Sequence, residues 1–365
     1  MDLQVTQENL NKALAIVARV AGGRSTLPIL SNVLLKIEDN RLSISATNLD
    51  IAITQVIGAK VASEGTLTIP ARLMQDFVSS LPKGTIAIKQ EEHKLHIKAG
   101  NYDSTINGVS SEEFPVMPII TDGTSWKVPA QELKKALQQV VFAASNDEAR
   151  PVLTGVFMHS NDGKLYIAAT DSYRLAQKIV DGVSEEINVL VPNSAMQDLL
   201  RIISDDIETV DITHDEQQVL FKVGPTELVA RLIEGKYPDY QKLIPSNFTC
   251  VAEVSREELI NITKVSSLFA RESAGSITVH LDDETKTISI RSVASQVGEN
   301  TASAEAVVSS NGDITLNSRY LLEGLQAIKS DMVAFCFNGK LDPVVIKSVS
   351  KDGDEYIHIV MPLKS

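Results

Sequence analysis

His93 and His96 are the closest pair among six scattered histidines, and they are the first residues to weigh as metal ligands. Three residues apart on a strand, two imidazoles fall on opposite faces, so a hairpin turn running into a solvated strand suits them better. Asp205-Asp206 and Asp282-Asp283-Glu284 offer carboxylates of the kind a hard cation takes. Both sit in polar, turn-like stretches and read as solvated loops. Asp171 and Arg174 could form the nucleus of a hydrolase site within 170–175, the alternative reading of this chain. No nucleophile–base pair stands beside them, and that pair is what such chemistry requires. Cys250 and Cys336 are far apart with no CxxC, which argues against a disulfide framework and against zinc, and for reduced thiols. The sequence holds no GxxxxGK[ST] loop, no GxGxxG after a strand, no GxSxG and no HExxH. The expectation is a non-catalytic protein with no metal and no cofactor.

The elements that would position any site come next. With 365 residues, 43% hydrophobic and 22% charged, the chain has ordinary globular composition and room for two or three domains at ~150 residues each. Ile, Val and Leu must supply the core, because aromatics are only 5%. The N-terminus has neither a basic nor an apolar signal region, and no apolar run approaches the ~18 residues of a membrane span. A cytoplasmic protein is expected, with no membrane partner. A net charge of −13 argues against gripping nucleic acid by phosphate neutralisation alone, which needs clustered Lys and Arg.

The chain repeats itself three times. Each repeat opens on an amphipathic helix, over residues 7–21, 130–145 and 256–271. In the second, Leu133, Ala136, Leu137, Val140 and Ala144 form one buried face, and Lys134, Lys135, Gln138 and Gln139 fall away from it. In the third, Ser255 and Glu258 have capping-box spacing. A strand pair follows; its second strand is Leu42-Ser-Ile-Ser-Ala-Thr47, then 165–170, then 288–293, with starts 123 positions apart both times. Leu42, Ile44 and Ala46 alternate with serines, as on a half-buried antiparallel strand. A second helix is entered from a strand through Pro70, Pro192 and Asn317, and each repeat closes on a Pro-containing segment. These are three copies of a two-helix α+β domain with antiparallel sheet, bounded at 1–121, 122–245 and 246–365. The third departs most, carrying Arg271-Glu-Ser-Ala-Gly-Ser-Ile-Thr-Val279 where the others have Thr26-Leu-Pro-Ile-Leu30 or Arg150-Pro-Val-Leu-Thr-Gly155. The six helical segments hold ten basic and seven acidic residues, which leaves −16 on the remainder: a mildly basic helical layer and an acidic rest.

Five further segments are distinctive: Gly22-Gly-Arg-Ser-Thr-Leu-Pro-Ile-Leu30, residues 169–176, Tyr237-Pro-Asp-Tyr-Gln-Lys-Leu-Ile-Pro245, residues 316–322, and Val360-Met-Pro-Leu363. In order, in a triplicated chain of this length, they resemble the bacterial DNA polymerase III beta subunits, the sliding clamps. The resemblance implies a head-to-tail homodimeric ring of six domains, with helices lining the hole and sheets forming the rim. Topology then holds the ring on duplex DNA without sequence readout, which reconciles the acidic charge with DNA as a partner. Arg24 is the foremost expected DNA contact, with Arg72, Lys12, Arg201 and Lys264 behind it.

The resemblance also implies a groove for partner tails of the Gln-Leu-x-Leu-Phe type, carried by the DNA polymerase III catalytic subunit, the clamp loader and other clamp-binding proteins. By matching segments its residues are Leu153, Thr170, Tyr173, Arg174, Leu175, Pro238 and Leu243 from the second repeat, with Tyr320, Val344, Val360, Met361, Pro362 and Leu363 from the third. Apolar anchors need an apolar pocket with a few polar groups at the rim, and Met361 gives an adaptable wall. Lys242 and Lys364-Ser365 replace arginine-containing forms of the family, which bears on the polar rim. Ring closure is assigned to Ile106 on one side and to Leu268 and Phe269 on the other.

Overall fold

A computed structural model describes residues 1–22, 27–295, 298–349 and 355–364. It divides into two compact units: Met1–Gln131 with Gln197–Leu232, and Glu132–Met196 with Ile233–Ser365. The division runs through the middle repeat. Among the described residues there are six α-helices: α1 (Gln7–Val17), α2 (Ala71–Ser80), α3 (Ala130–Val140), α4 (Asn193–Ile202), α5 (Arg256–Phe269) and α6 (Ser318–Ala327). They fall two to a repeat, as the periodicity predicts.

Three of the helices, α1, α5 and α6, begin at a side-chain cap, whereas α2 is entered through Pro70 without one. The Thr6 hydroxyl accepts from Asn9 N at 3.3 Å, Ser255 Oγ from Glu258 N at 3.4 Å, and Asn317 Oδ1 from Arg319 N at 2.9 Å. Each satisfies one of the amide donors that a helix start leaves without a partner. α1 buries Leu10, Ala13, Leu14 and Val17, and α2 buries Ala71, Met74 and Val78. At about 1.5–3 kcal/mol per large apolar side chain, these stripes fix the helices to their sheets. The buried face of α3 also includes Gln139, contrary to its expected outward placement. Gln139 is fully buried and donates through Nε2 to the carbonyl of Ala327, at the end of α6, at 3.0 Å. The end of α6 thus covers a polar position outside the main apolar stripe of α3.

In the first unit a five-stranded sheet runs in the order Lys60–Ser63, Asp2–Thr6, Thr85–Glu91, Lys94–Ala99, Tyr102–Asn107. An eight-stranded sheet joins four strands of the second repeat to four of the first. The joint lies between Thr226–Arg231 and Ile51–Gly58, with Ala230 opposite Ile51. The buried Thr226 hydroxyl donates to Gln55 Oε1 across it. Leu42, Ile44 and Ala46 are fully buried in this sheet, as their alternation predicts, but Ser45 is buried as well, its hydroxyl 2.9 Å from that of Thr54, so this end of the strand is covered on both faces.

The second unit holds one twelve-stranded sheet. Its corresponding joint pairs Arg174–Asp181 of the second repeat with Tyr356–Val360 of the third, Arg174 opposite Val360. All these pairings are antiparallel. The departure in the third repeat has a structural counterpart. Repeats one and two carry 3-10 turns at Pro28–Ser31 and Pro151–Thr154. In the third, α5 runs on to Phe269, a 3-10 turn follows at Arg271–Ser273, and the chain reverses through Ala274 and Gly275, both at positive φ (53° and 82°). His93 stands in a hairpin turn and His96 on the following strand, where Thr105 and Glu91 meet the His96 ring. Asp282 is spent as a turn acceptor for the amides of Glu284 and Thr285.

Candidate functional site

The site in the second unit begins with a five-residue turn. Thr170 Oγ1 donates to Arg174 O at 2.6 Å and accepts from Ser172 N at 3.1 Å. Asp171 Oδ1 accepts from Tyr173 N and Arg174 N at 2.9 and 3.0 Å. Ser172 takes φ +78°. The turn points Tyr173 outward, 57% exposed, and Arg174 inward, 7% exposed.

The first unit contains the same turn. Thr47 and Asn48 make the equivalent bonds, and Leu49 sits at φ +79°. What differs is Asp171 for Asn48 and Arg174 for Ile51. A carboxylate with a spare oxygen can hold a guanidinium where an amide oxygen already in use cannot.

Arg174 uses that oxygen, Nε to Asp171 Oδ2 at 3.0 Å, and donates to Phe142 O at 2.7 Å. Its guanidinium pairs with Glu323 on α6 and lies 4.8 Å from the centre of the Tyr320 ring and 5.4 Å from that of Phe142. A planar, delocalised cation suits this combination of fork and stack. The expected groove residue is therefore a buried strut between a second-repeat turn and a third-repeat helix. Asp171 has its oxygens committed to Arg174 and to backbone amides, which makes it a brace of the turn.

The C-terminal segment is threaded alongside. Past Val360, Met361 N donates to Tyr173 O and Leu363 N to Thr315 O, each at 2.8 Å. Met361, Pro362 and Leu363 are half-buried. Val344 lies opposite Val360 in the sheet. Leu153, Leu175, Val344 and Val360 are 4% exposed or less, so they form floor and core. Tyr173, Pro238 and Leu243 are exposed, Tyr320 half-buried, and Thr170 buried. Leu175 shares a core cluster with Tyr237, and Val152 and Ile244 pack against it, which draws Leu153, Pro238 and Leu243 to the same region. Lys242 pairs with Asp239 at 2.7 Å.

His358 was not singled out from the sequence, yet it lies under this site. It is fully buried, its Nε2 donates to Tyr320 O at 3.1 Å, and its ring centre is 5.7 Å from that of Phe142. Burial, reinforced by the Arg174 charge, pushes its pKa down to about 3 from the ordinary 6.5. Between those values the unfolded chain takes up a proton that the folded chain refuses. Stability from this group is therefore present above pH 6.5 and lost as pH falls towards 3. The contribution is about 1.4 kcal/mol per pH unit. Urea titrations at pH 7, 5 and 4 are expected to show His358→Gln losing stability less steeply than the parent; parallel slopes would remove the histidine from the account.

In the first unit, Arg19, just past α1, and Arg201 on α4 line a cavity of about 200 Å³ with Asp198, Ile16, Ile53 and Ile202. Arg201 Nη1 is 2.9 Å from Asp198 Oδ1. Burial raises the Asp198 pKa against the opposing pull of Arg201 and Arg19. Arg19 counted only towards the helical charge in the sequence; its place beside Arg201 depends on helices from different repeats. Lys12 and Arg72 are exposed in this unit, and Lys264 is exposed on α5 of the other. A Cβ on Gly22 would lie 3.6 Å from the Arg72 guanidinium. Arg24 lies outside the described residues. Ile106 is buried in its own sheet, Leu268 is 55% exposed, and Phe269 is half-buried.

An apolar floor, a stacked and ion-paired arginine and a C-terminal segment threaded beside them form a binding surface on tandem α+β domains. Models of the N-terminal, central and C-terminal domains of the DNA polymerase III beta subunit match residues 1–118, 127–239 and 241–364. The chain belongs to that family, the non-catalytic sliding clamps of DNA replication. It is 30% identical over 374 residues to the beta sliding clamp of Synechococcus elongatus (100% of this chain, 99% of the relative). It is 28% identical to that of Staphylococcus epidermidis, with both chains fully covered. Among solved structures, the Pseudomonas aeruginosa sliding clamp bound to griselimycin superposes with a TM-score of 0.94 at 26% identity, covering all of both chains. The Bacillus subtilis clamp gives 0.94 at 26%, covering 100% of this chain and 99% of that one. No helix among the described residues is long and apolar enough to cross a membrane.

Proposed function

We propose that two copies of this chain close head to tail around duplex DNA, as a ring of domains 1–121, 122–245 and 246–365 from each. The DNA polymerase III catalytic subunit, the clamp loader and other partners dock Gln-Leu-x-Leu-Phe tails in the groove of the second unit. Among the several sheet edges that the described residues leave open, the two that carry the ring lie one in each unit. Tyr102–Asn107 ends its sheet, and residues 298–305 of Gly298–Val308 pair on one side only, with Thr287–Ala294. Open edges invite pairing, and a head-to-tail contact closes into a ring when its rotation allows. With Ile106 turned inward, the first-unit side offers backbone. Leu268 and Phe269 offer apolar surface on the other, from a helix packed on the strand with the open edge.

The test is retention. The protein is loaded onto nicked circular plasmid by a bacterial clamp loader with ATP, isolated, and the plasmid is then linearised. Loss from the linear form and persistence on the circle are expected; equal persistence on both would mean contact binding and would remove the ring.

Arg24, Lys12, Arg72, Arg201 and Lys264 are assigned to phosphates, and Arg19 joins them by its place beside Arg201. Replacing both Arg19 and Arg201 with alanine is expected to flatten the salt dependence of DNA binding by about 1–2 in log–log slope, at ~0.9 per phosphate contact. Fluorescence anisotropy across a salt series reads this; an unchanged slope would place the phosphates elsewhere.

A further inference from the structure

A cavity of about 290 Å³ opens in the second unit between Gly155–Asn161, residues 186–188 and residues 237–241. Its wall is aromatic. Phe157 stacks on Tyr237 with ring centres 4.8 Å apart, and His159 follows at 4.9 Å from Phe157. Tyr240 meets Tyr237 edge-on at 6.2 Å, and its hydroxyl lies 2.9 Å from His159 Nε2. Burial holds the His159 pKa below its usual value and both tyrosine pKa values above theirs, so the wall is uncharged at neutral pH.

The charged side chains lining the cavity are Glu186 and Asp239. Asp239 is met by Lys242, whereas Glu186 makes no ion pair among the described residues. Pro238, a residue of the partner groove, also lines the cavity, which makes the two neighbours. At about 290 Å³ the cavity stands at the lower limit of the ~300–1,000 Å³ typical of ligand pockets. That size suits one side chain of a molecule already bound next door.

We propose that this cavity receives a lysine or arginine side chain from the flank of the peptide docked in the groove. The Glu186 carboxylate attracts a cation, the uncharged wall does not oppose it, and the apolar stem of a lysine or arginine can pack along the ring surface below the charge. An acidic flank meets Glu186 unfavourably, and an apolar one gains little from it. The inference rests on the groove reading above and adds a charge preference to it.

The experiment uses labelled peptides and the full chain at two salt concentrations. The probes are Gln-Leu-Ser-Leu-Phe alone, with two lysines before it, with two lysines after it, and with two glutamates at each position. One lysine-bearing peptide is expected to bind about fivefold tighter than the core, and its glutamate counterpart more weakly. Glu186→Lys is expected to abolish that gain while leaving the affinity for the core peptide unchanged. Glu64→Lys, an equal charge change on the other unit, is expected to keep the gain. If both lysine peptides bind like the core, or the gain survives Glu186→Lys, or Glu64→Lys removes it equally, the proposal is overturned and the groove stands. If the core peptide itself fails to bind, the groove reading falls and this inference with it.

Discussion

Gly324→Ala is expected to destabilise the second unit by about 1–2 kcal/mol, at a position where the same change in an ordinary helix would stabilise it. Gly324 lies inside α6, and glycine costs a helix interior about 1 kcal/mol relative to alanine. Here the missing Cβ has a use: an added one would come within 2.1 Å of His358 Cδ2 and 2.6 Å of its Cγ. The ring has nowhere to go. It is fully buried, its Nε2 is held by the Tyr320 carbonyl, and the Phe142 ring lies close by. Overpacking of this kind costs about 1–3 kcal/mol, occasionally more, and only about 1 kcal/mol of helix propensity offsets it. Urea unfolding of the single variants Gly324→Ala and His358→Ala and of the double variant separates clash from context. The double variant is expected to be more stable than additivity predicts by at least ~1 kcal/mol, because the cavity left by the ring admits the methyl. A Gly324→Ala protein as stable as the parent would show that α6 does not press on His358 as described.

That contact also shows where the sequence stops being legible. Local patterns identify local elements well. Leu42, Ile44 and Ala46 declare a half-buried strand, Ser255 marks the start of α5, and the 123-residue spacing makes each repeat support the reading of the others. The joints between repeats carry no such pattern, because pairing partners far apart in the chain leave no periodicity. That Arg174–Asp181 lies beside Tyr356–Val360 is visible only in three dimensions. Gln139 misleads for the same reason: it sits off the main apolar stripe of α3, but its amide meets a carbonyl at the end of α6. Two signals were available. A glycine in the middle of an otherwise strong helix usually marks close packing, as Gly324 does. Asp171-x-x-Arg174 in place of Asn48-x-x-Ile51, at the same point of two repeats, marks a charge pair added to a shared turn. Of the expected groove residues, the ones drawn by chain adjacency, from 170 to 175 and from 360 to 363, lie side by side. The arginine among them reaches Glu323 and Phe142, which adjacency could not supply.

The second large effect is expected at that arginine. Arg174→Met keeps much of the volume but leaves Asp171 without its cation and Glu323 with Arg319 alone, and it frees the Phe142 carbonyl. Breaking a buried ion pair by removing one partner costs about 3–5 kcal/mol. Glu323 keeps 27% of its side chain exposed and retains Arg319 at 2.9 Å, so the lower end, about 3 kcal/mol, is expected. Adding Glu323→Gln to Arg174→Met should recover part of the stability, because it removes one of the stranded charges. It should not recover peptide binding. Without the guanidinium stacked on Tyr320 and tied to Asp171, nothing holds the 170–174 turn against α6, and the segment at 361–363 loses the support that fixes Tyr173 O for Met361 N. Arg174→Lys is expected to fail almost as badly as methionine, since an ammonium cannot make the fork and the stack together. Unfolding measurements and peptide titrations on the same four proteins therefore divide in a set way. Stability follows the number of uncompensated charges, whereas affinity follows the guanidinium alone. If the double variant regains peptide affinity along with stability, Arg174 serves the fold only and the groove does not depend on its geometry.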